Sequence, residues 1–86
     1  MKFRANIITY LKDEVKDPQG EAVSMVLKNL NLADNSSIRV GKYFVLESDA
    51  ENFDEFNKKI KQIGGEILSN PLIENFEIQK VEEVWE

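Results

Sequence analysis

The side chains that most enzymes use for chemistry near neutral pH are missing from this chain. Its 86 residues include no histidine and no cysteine. Histidine is the commonest general base, and a cysteine-type hydrolase needs a thiolate activated by a histidine. Carboxylates are plentiful, but Asp49, Glu51, Asp54 and Glu55 crowd the predicted start of a helix, where they favour the positive end of the helix dipole. Independent catalysis is therefore not expected.

The sequence also lacks the usual signals for phosphate or nucleic acid. An ATP-binding loop needs clustered glycines between a strand and a helix, with a lysine among them. The pair Gly64-Gly65 instead lies within an apolar helical period. A net charge of −5 argues against nucleic acid, whose phosphates must be neutralised by a basic surface. We expect no catalytic, metal or cofactor site in this chain.

Length and composition predict one small folded domain that spans residues 1–86. The hydrophobic content of 42% is ordinary for a globular protein. The apolar runs are too short to span a bilayer, and the sequence begins without the apolar stretch of a signal peptide. A soluble cytoplasmic protein is the expectation.

Three stretches alternate with the period of a strand. The first places one set of residues on a core face, namely Phe3, Ala5, Ile7, Thr9 and Leu11. The second, from Ile38 to Ser48, is one long strand or two shorter ones that change direction near Gly41-Lys42. In the third, Phe76, Ile78 and Lys80 alternate with Glu77, Gln79 and Val81. For Trp85 in the tail, packing against its own domain is favoured over contact with a partner.

Two helices separate these strands. Asp17 is predicted to cap the first and Pro18 to be its first residue, followed by an apolar stripe of Ala22, Val23, Val26, Leu27 and Leu30. Gly20 near its start indicates either local looseness or the close approach of another backbone. Asp49 or Asn52 opens the second helix, whose apolar stripe runs from Phe53 to Ile67 across a soft point at Gly64-Gly65.

This order predicts a small α+β domain of ferredoxin-like type, β-α-β(β)-α-β, with two helices on one face of an antiparallel sheet. The opposite face then carries Ile8, Tyr10, Tyr43 and Val45 with no cover from its own chain. Burying each large apolar side chain contributes about 1.5–3 kcal/mol, so a bare patch of this kind favours an interface. We expect a homodimer that pairs through the sheet, or a tetramer built from two dimers.

Three short motifs lie where elements begin or end. They are Asp17-Pro18-Gln19-Gly20, Ile38-Arg39-Val40-Gly41-Lys42-Tyr43 and Asn70-Pro71-Leu72-Ile73-Glu74-Asn75-Phe76. None is specific alone, but their order and separation over residues 3–78 resemble PurS, the small subunit of phosphoribosylformylglycinamidine (FGAM) synthase in purine biosynthesis. Asp17, Pro18, Gln19 and Gly20 match the turn into the first helix in that family. Arg39, Gly41, Lys42 and Tyr43 match its middle motif, and Asn70, Pro71, Ile73 and Glu74 match its last turn.

The resemblance implies an adaptor without an active site of its own. In such enzymes a glutaminase subunit (PurQ) releases ammonia, and a large synthetase subunit (PurL) uses ATP and magnesium to install the nitrogen. The small subunit would dock the two and help ammonia to pass between them. Arg39 and Lys42 are the favoured interface residues, because neither charge has an obvious local partner. Asp17-Pro18 and Asn70-Pro71 are also explained as helix and turn caps alone.

Two other functions compete with this interpretation. A regulatory module that binds a small molecule would need a polar pocket and would melt at a higher temperature with its ligand. A hydrolase of acylphosphatase type would need a glycine-rich anion-binding loop with an arginine after the first strand. The loop Lys12-Asp13-Glu14-Val15-Lys16 contains neither glycine nor arginine, which disfavours that hydrolase.

Overall fold

The computed structural model describes residues 1–85 and shows the predicted small α+β domain. Its elements follow the order β1 (Lys2–Leu11), α1 (Pro18–Asn29), β2 (Gly41–Asp49), α2 (Phe53–Ile63), a π-helical segment (Gly64–Leu68) and β3 (Glu74–Val84). The three strands form an antiparallel sheet in the order β2-β1-β3. No helix in this part of the chain is long and apolar enough to cross a membrane.

The core lies between β1 and α2. Phe3, Ala5 and Ile7 point to this side and are almost fully buried, as predicted from their alternation. Phe56 and Ile60 of α2 close over them, and the rings of Phe3 and Phe56 stack with centroids 5.1 Å apart. The central strand is thus fixed by hydrogen bonds on both edges and by a helix on one face. We call that side of the sheet the covered face and the other side the open face.

The middle strand is shorter than the sequence predicts. β2 begins at Gly41, and residues 36–40 form no strand. The backbone N–H of Val40 donates to the Asp17 carboxylate at 2.8 Å, and the carbonyl of Ile38 lies against Gly20. This stretch therefore packs against the start of α1 rather than pairing in the sheet.

The last strand changes phase in its middle. Ile78 lies opposite Ile7 but Lys80 lies opposite Asn6, so Gln79 is an extra residue that forms a bulge. Beyond the bulge Val81 packs against the core and Lys80 shares the open face. The simple alternation predicted through Val81 is therefore wrong after Gln79, because a bulge shifts the side-chain period by one. The strand also continues to Val84.

The soft point predicted at Gly64-Gly65 is a π-helical segment that continues α2. The aromatic ring of Phe76 lies directly against these glycines. A Cβ on Gly64 would lie 2.6 Å from ring atom Cδ2, whereas one on Gly65 would lie 3.3 Å from the nearest ring atom. Ser69 ends the segment by donating both its N–H and its hydroxyl to the Gly64 carbonyl. The absence of a side chain at Gly64 therefore lets β3 approach the helix.

The apolar stripe of α1 is exposed rather than buried. Val23, Val26 and Leu30 are between 44% and 62% exposed, and Met25 is 65% exposed. The radius of gyration is 16.7 Å, compared with about 12 Å for a compact domain of this length. α1 thus extends away from the core instead of joining α2 over the covered face.

The open face has a charged half and an apolar half. Near the start of β1, Arg4 pairs with Glu47 at 3.0 Å and with Glu82 at 3.3 Å, which links all three strands. At the other end, Tyr43 and Val45 of β2 are 60% and 53% exposed. The uncovered apolar surface expected from the sequence is therefore present. Trp85 is 85% exposed, so its expected packing against the domain is wrong.

Alanine substitutions at the two glycines of the π-helical segment distinguish the effect of a steric clash from the effect of helix propensity. We expect Gly64→Ala to lower the free energy of unfolding by about 1–3 kcal/mol, because the methyl group overlaps the Phe76 ring. Gly65→Ala is the matched control. It should stay within about 1 kcal/mol of wild type, since alanine favours helix and the ring needs to move only slightly. Urea unfolding measures both, and equal effects would contradict the close packing at Gly64.

Candidate functional site

The three sequence motifs meet at one end of the sheet. β1 finishes there and β2 and β3 begin there, with Gly41 and Asn75 both opposite Tyr10. Just beyond β1, the N–H of Lys12 donates to the carbonyl of Ile73 at 2.8 Å. We call this region, formed by residues 9–12, 17–20, 38–43 and 70–76, the motif end. Residues from all three motifs thus share one surface, which their separation in sequence does not reveal.

Asp17 connects the first two motifs. Its side chain is buried, and its carboxylate accepts hydrogen bonds from Gly20 N at 2.9 Å and from Val40 N at 2.8 Å. The first bond is the predicted N-cap of α1. The N–H groups of Gly20 and then Val40 stabilise the ionised form and hold the pKa of the Asp17 carboxyl below its usual value. Asp17 is therefore a cap that also anchors the segment before β2.

Gly20 is required by close approach of that same segment. A Cβ at this position would overlap the carbonyl oxygen of Ile38. Of the two interpretations that the sequence left open, the close approach of another backbone is confirmed. Pro18 and Gln19, between Asp17 and Gly20, are exposed in the first turn of α1.

Arg39 has hydrogen-bond partners within its own chain, contrary to the expectation from the sequence. Its Nη2 donates to the carbonyl oxygens of Lys12 at 2.8 Å and Val15 at 3.0 Å, with a longer contact to Leu11. The guanidinium thus organises the loop between β1 and α1. All three contacts are made by Nη2, whose two N–H groups serve the two nearer carbonyls. This geometry was not visible in the sequence because the partners lie more than 20 residues away.

Asn70 organises the third motif as a tight turn. Its Oδ1 accepts from Leu72 N at 3.1 Å, and its own N–H donates to Glu74 Oε1 at 2.7 Å. In this turn, Leu72 is 84% exposed and Ile73 is 40% exposed, and Pro71 is exposed as well. The motif therefore presents apolar side chains on a rigid turn at the motif end.

A small pocket opens beside these motifs on the covered face. Its volume is about 200 Å³, and it is lined by Thr9, Leu11, Gln19, Val40, Gly41, Lys42 and Glu74. Four of these residues were predicted site residues from three different motifs. Tyr43 is not among them, because it projects from the open face.

Thr9 is the one polar residue among the three pocket residues that were not predicted from the sequence, the others being Leu11 and Val40. Its side chain is fully buried, and its Oγ1 has no hydrogen-bond partner among the described residues. A buried, unpaired hydroxyl costs about 1–3 kcal/mol. The signal was present in the sequence, because Thr9 is the one polar residue among the inward-facing residues of β1.

A larger, open cleft of about 830 Å³ lies beside α1. The loop between β1 and α1 forms one wall, and residues 33–39 form another. Both acidic and basic side chains line it, including Asp13, Glu14, Lys16 and Lys28. Arg39 also borders the cleft, but its Nη2 is engaged by the loop carbonyls. The loop of residues 12–16 contains neither glycine nor arginine, so it lacks the features of an acylphosphatase-type anion cradle.

The lowered pKa of Asp17 predicts a pH-dependent contribution to stability. Because the folded-state pKa lies below the unfolded value, this stabilisation is complete above about pH 4 and is lost as the pH falls through the folded-state pKa. Asp17→Asn keeps one acceptor but presents an NH2 group to the Val40 N–H. We expect it to melt several degrees below wild type at neutral pH, with a smaller difference near pH 3.

The control for Asp17→Asn is Asp13→Asn, which removes the same charge from an exposed position in the preceding loop. Its melting temperature should follow that of wild type at both pH values. Thermal unfolding followed by circular dichroism measures all three proteins. A constant difference between Asp17→Asn and wild type across this range would contradict the assigned role of the ionised carboxylate.

Comparison with known proteins identifies the family. The model of the PurS family, described as phosphoribosylformylglycinamidine (FGAM) synthase, matches residues 4–82. The PurS subunit from Thermotoga maritima is 30% identical, over 92% of this chain and 96% of its own length. The subunit from Bacillus subtilis is 30% identical over 95% of each chain.

Solved structures agree in fold as well as in sequence. PurS from Thermus thermophilus superposes with a TM-score of 0.85 at 34% identity, covering 98% of this chain and 99% of the other. A chain in the structure of PurLQS from Thermotoga maritima superposes with a TM-score of 0.81 at 31% identity, covering 98% and 99%. The motif residues, the sheet that gathers them and these near full-length matches together show that this chain belongs to the PurS family of FGAM synthase subunits, which act in purine biosynthesis.

Proposed function

We propose that this chain is a non-catalytic adaptor that docks the glutaminase subunit PurQ onto the ATP-dependent synthetase subunit PurL and helps ammonia to pass between them. The observation that carries the proposal is the convergence of all three motifs at the motif end. Docking needs a preformed surface, and Asp17, Arg39 and Asn70 each hold a piece of this surface in place through hydrogen bonds to backbone groups. The structure of PurLQS from Thermotoga maritima contains a chain similar to this one.

The composition supports a role without catalytic residues. The chain has neither histidine nor cysteine, so the thiolate–histidine chemistry of a cysteine-type glutaminase would be supplied by PurQ. ATP and magnesium would act in PurL, with no cofactor held by this chain. The complex would work in the cytoplasm, where the other enzymes of nucleotide synthesis are expected.

We assign the contact with the other subunits to one part of the exposed surface. Leu72 on the third motif is the most exposed apolar side chain of the motif end, and it stands on a turn fixed by Asn70 and Glu74. An exposed apolar side chain on a rigid support loses little conformational freedom when a partner covers it. We assign the contact with the other subunits to this turn and to Lys42, which has no ion pair among the described residues.

Self-association accounts for the remaining apolar surface. The stripe of α1 and the apolar half of the open face are both exposed on a chain whose radius of gyration exceeds that of a compact domain. Each surface needs a cover that the same chain does not provide. A homodimer, or a tetramer of two dimers, supplies such a cover from α1 and the sheets of other copies.

Reconstitution with PurL and PurQ from the same organism tests the adaptor role. We expect FGAM formation from glutamine to fall about tenfold or more when this chain is omitted, while formation from added ammonium salt is retained. Leu72→Asp should likewise reduce co-elution with the two subunits and reduce the glutamine-dependent rate. Ammonia bypasses the need for docking, so it controls for damage to the synthetase.

The control variant is Trp85→Asp, which changes a side chain of equal exposure just beyond the far end of β3. It should assemble and support synthesis like wild type. Glutamine-dependent synthesis that is indifferent to this chain would refute the adaptor role. Equal losses in the two variants would refute the placement of the docking surface at the motif end.

Self-association has its own test at α1. Val26→Glu places a charge on the exposed stripe and should shift the protein toward the monomer in sedimentation velocity at micromolar concentration. Ser24→Glu, on the opposite side of the same helix from the stripe, should leave the oligomer intact. A wild-type protein that sediments as a monomer would contradict self-association altogether.

A further inference from the structure

The small pocket at the motif end has features that an adaptor surface does not require. Thr9 lines this pocket, and its buried Oγ1 has no hydrogen-bond partner among the described residues. Valine would fill nearly the same volume without burying a polar atom, so a hydroxyl that serves only packing is unfavourable. A ligand with a polar atom at this position would satisfy the hydroxyl. This is the first of two independent signs of a binding site.

The second sign is a pair of opposite charges on the same pocket. Lys42 and Glu74 both line it, but they form no ion pair with each other and lie on strands separated by β1. Glu74 uses Oε1 to accept from Asn70 N, which fixes the carboxylate. Two unlike charges that line one small pocket without pairing with each other can meet the complementary charges of one molecule.

We propose that this pocket binds a free amino acid or a zwitterion of similar size. The ligand's carboxylate pairs with Lys42, its ammonium group pairs with Glu74, and a polar atom of the ligand meets Thr9 Oγ1. The amide of Gln19 at the rim adds a donor and an acceptor.

The size of the pocket supports a ligand of this class. Its volume of about 200 Å³ lies below the range of about 300–1,000 Å³ typical of sites for larger organic ligands. Leu11 and Val40 supply apolar walls. This volume is too small to enclose a nucleotide, and a lone anion would leave Glu74 facing a like charge.

The experiment is thermal unfolding of the isolated full chain with a panel of free amino acids, each at about 10 mM. A ligand with a Kd of about 1 mM raises the melting temperature of a domain of this size by about 5 to 10 °C at that concentration. We expect at least one amino acid to do so, while its N-acetyl and methyl-ester derivatives, which each lack one charge, do not. Protein concentration is held constant, because self-association also affects melting.

Two pairs of variants assign the effect to the pocket. Thr9→Val should melt at or above the temperature of wild type without ligand, because it removes an unpaired hydroxyl, but it should lose the ligand-dependent shift. Thr9→Ser keeps the hydroxyl and should keep the shift. Lys42→Met should lose the shift, while Lys61→Met, an exposed position near the end of α2, should keep it.

A panel in which no amino acid raises the wild-type melting temperature would overturn the proposal. So would a full shift in Thr9→Val, a loss of the shift in Thr9→Ser, or equal responses of the two lysine variants. These measurements use the isolated chain and do not depend on the adaptor role. A negative result here leaves the reconstitution experiment unaffected, and the converse also holds.

Discussion

The carboxylate of Asp17 is the interaction on which the arrangement of the motif end depends. One oxygen caps α1 through Gly20, and the other holds the N–H of Val40. Because both donors are backbone groups, the bridge fixes the path of two chain segments rather than the position of two side chains. The lack of a side chain at Gly20 then allows Ile38 to lie against the helix start. The first turn of α1 and the segment that leads into β2 are therefore held together as one structural unit.

That unit also explains why the chain is extended. The loop held by Arg39 and the segment held by Asp17 lie beyond the end of the sheet, so α1 starts outside the area that α2 covers. The core between β1 and α2 is consequently small, with six almost fully buried apolar residues among those described. A core of this size gives limited stability to a short chain, which makes association with further subunits energetically valuable. The proposed adaptor role would thus rest on the same geometry that exposes the α1 stripe.

The sequence predicts the elements well because their signals are local. The alternation from Phe3 to Leu11, the Asp17-Pro18 start of α1 and the apolar stripe of α2 depend on neighbours within a few residues. The errors concern contacts between distant residues. Arg39 lacks a partner in its own strand but finds one in a loop more than 20 residues earlier. The Gln79 bulge depends on pairing with β1, and the exposure of α1 depends on how the loops leave the sheet.

Four of the residues that line the candidate site were named from the sequence, but the shape of the site was not predicted. The motif resemblance supplied Gln19, Gly41, Lys42 and Glu74, and the structure shows that all four line one pocket. Nothing in their spacing predicts that pocket, since it forms only where three strand ends meet. Thr9 was accessible to reasoning from the alternation alone, because a polar residue among inward-facing apolar ones requires a partner.

The bulge at Gln79 divides β3 into two parts, in which residues of opposite parity face the core. Before it, even-numbered residues such as Ile78 face the core, and after it odd-numbered residues such as Val81 do. Removing this one residue would leave Ile78 and Val81 on the core face and Lys80 on the open face, because the three would then alternate regularly opposite β1. A strand that is one residue shorter at this bulge is therefore expected among relatives, as is length variation in the polar stretch from Asn31 to Ser37, where no side-chain frame must be kept.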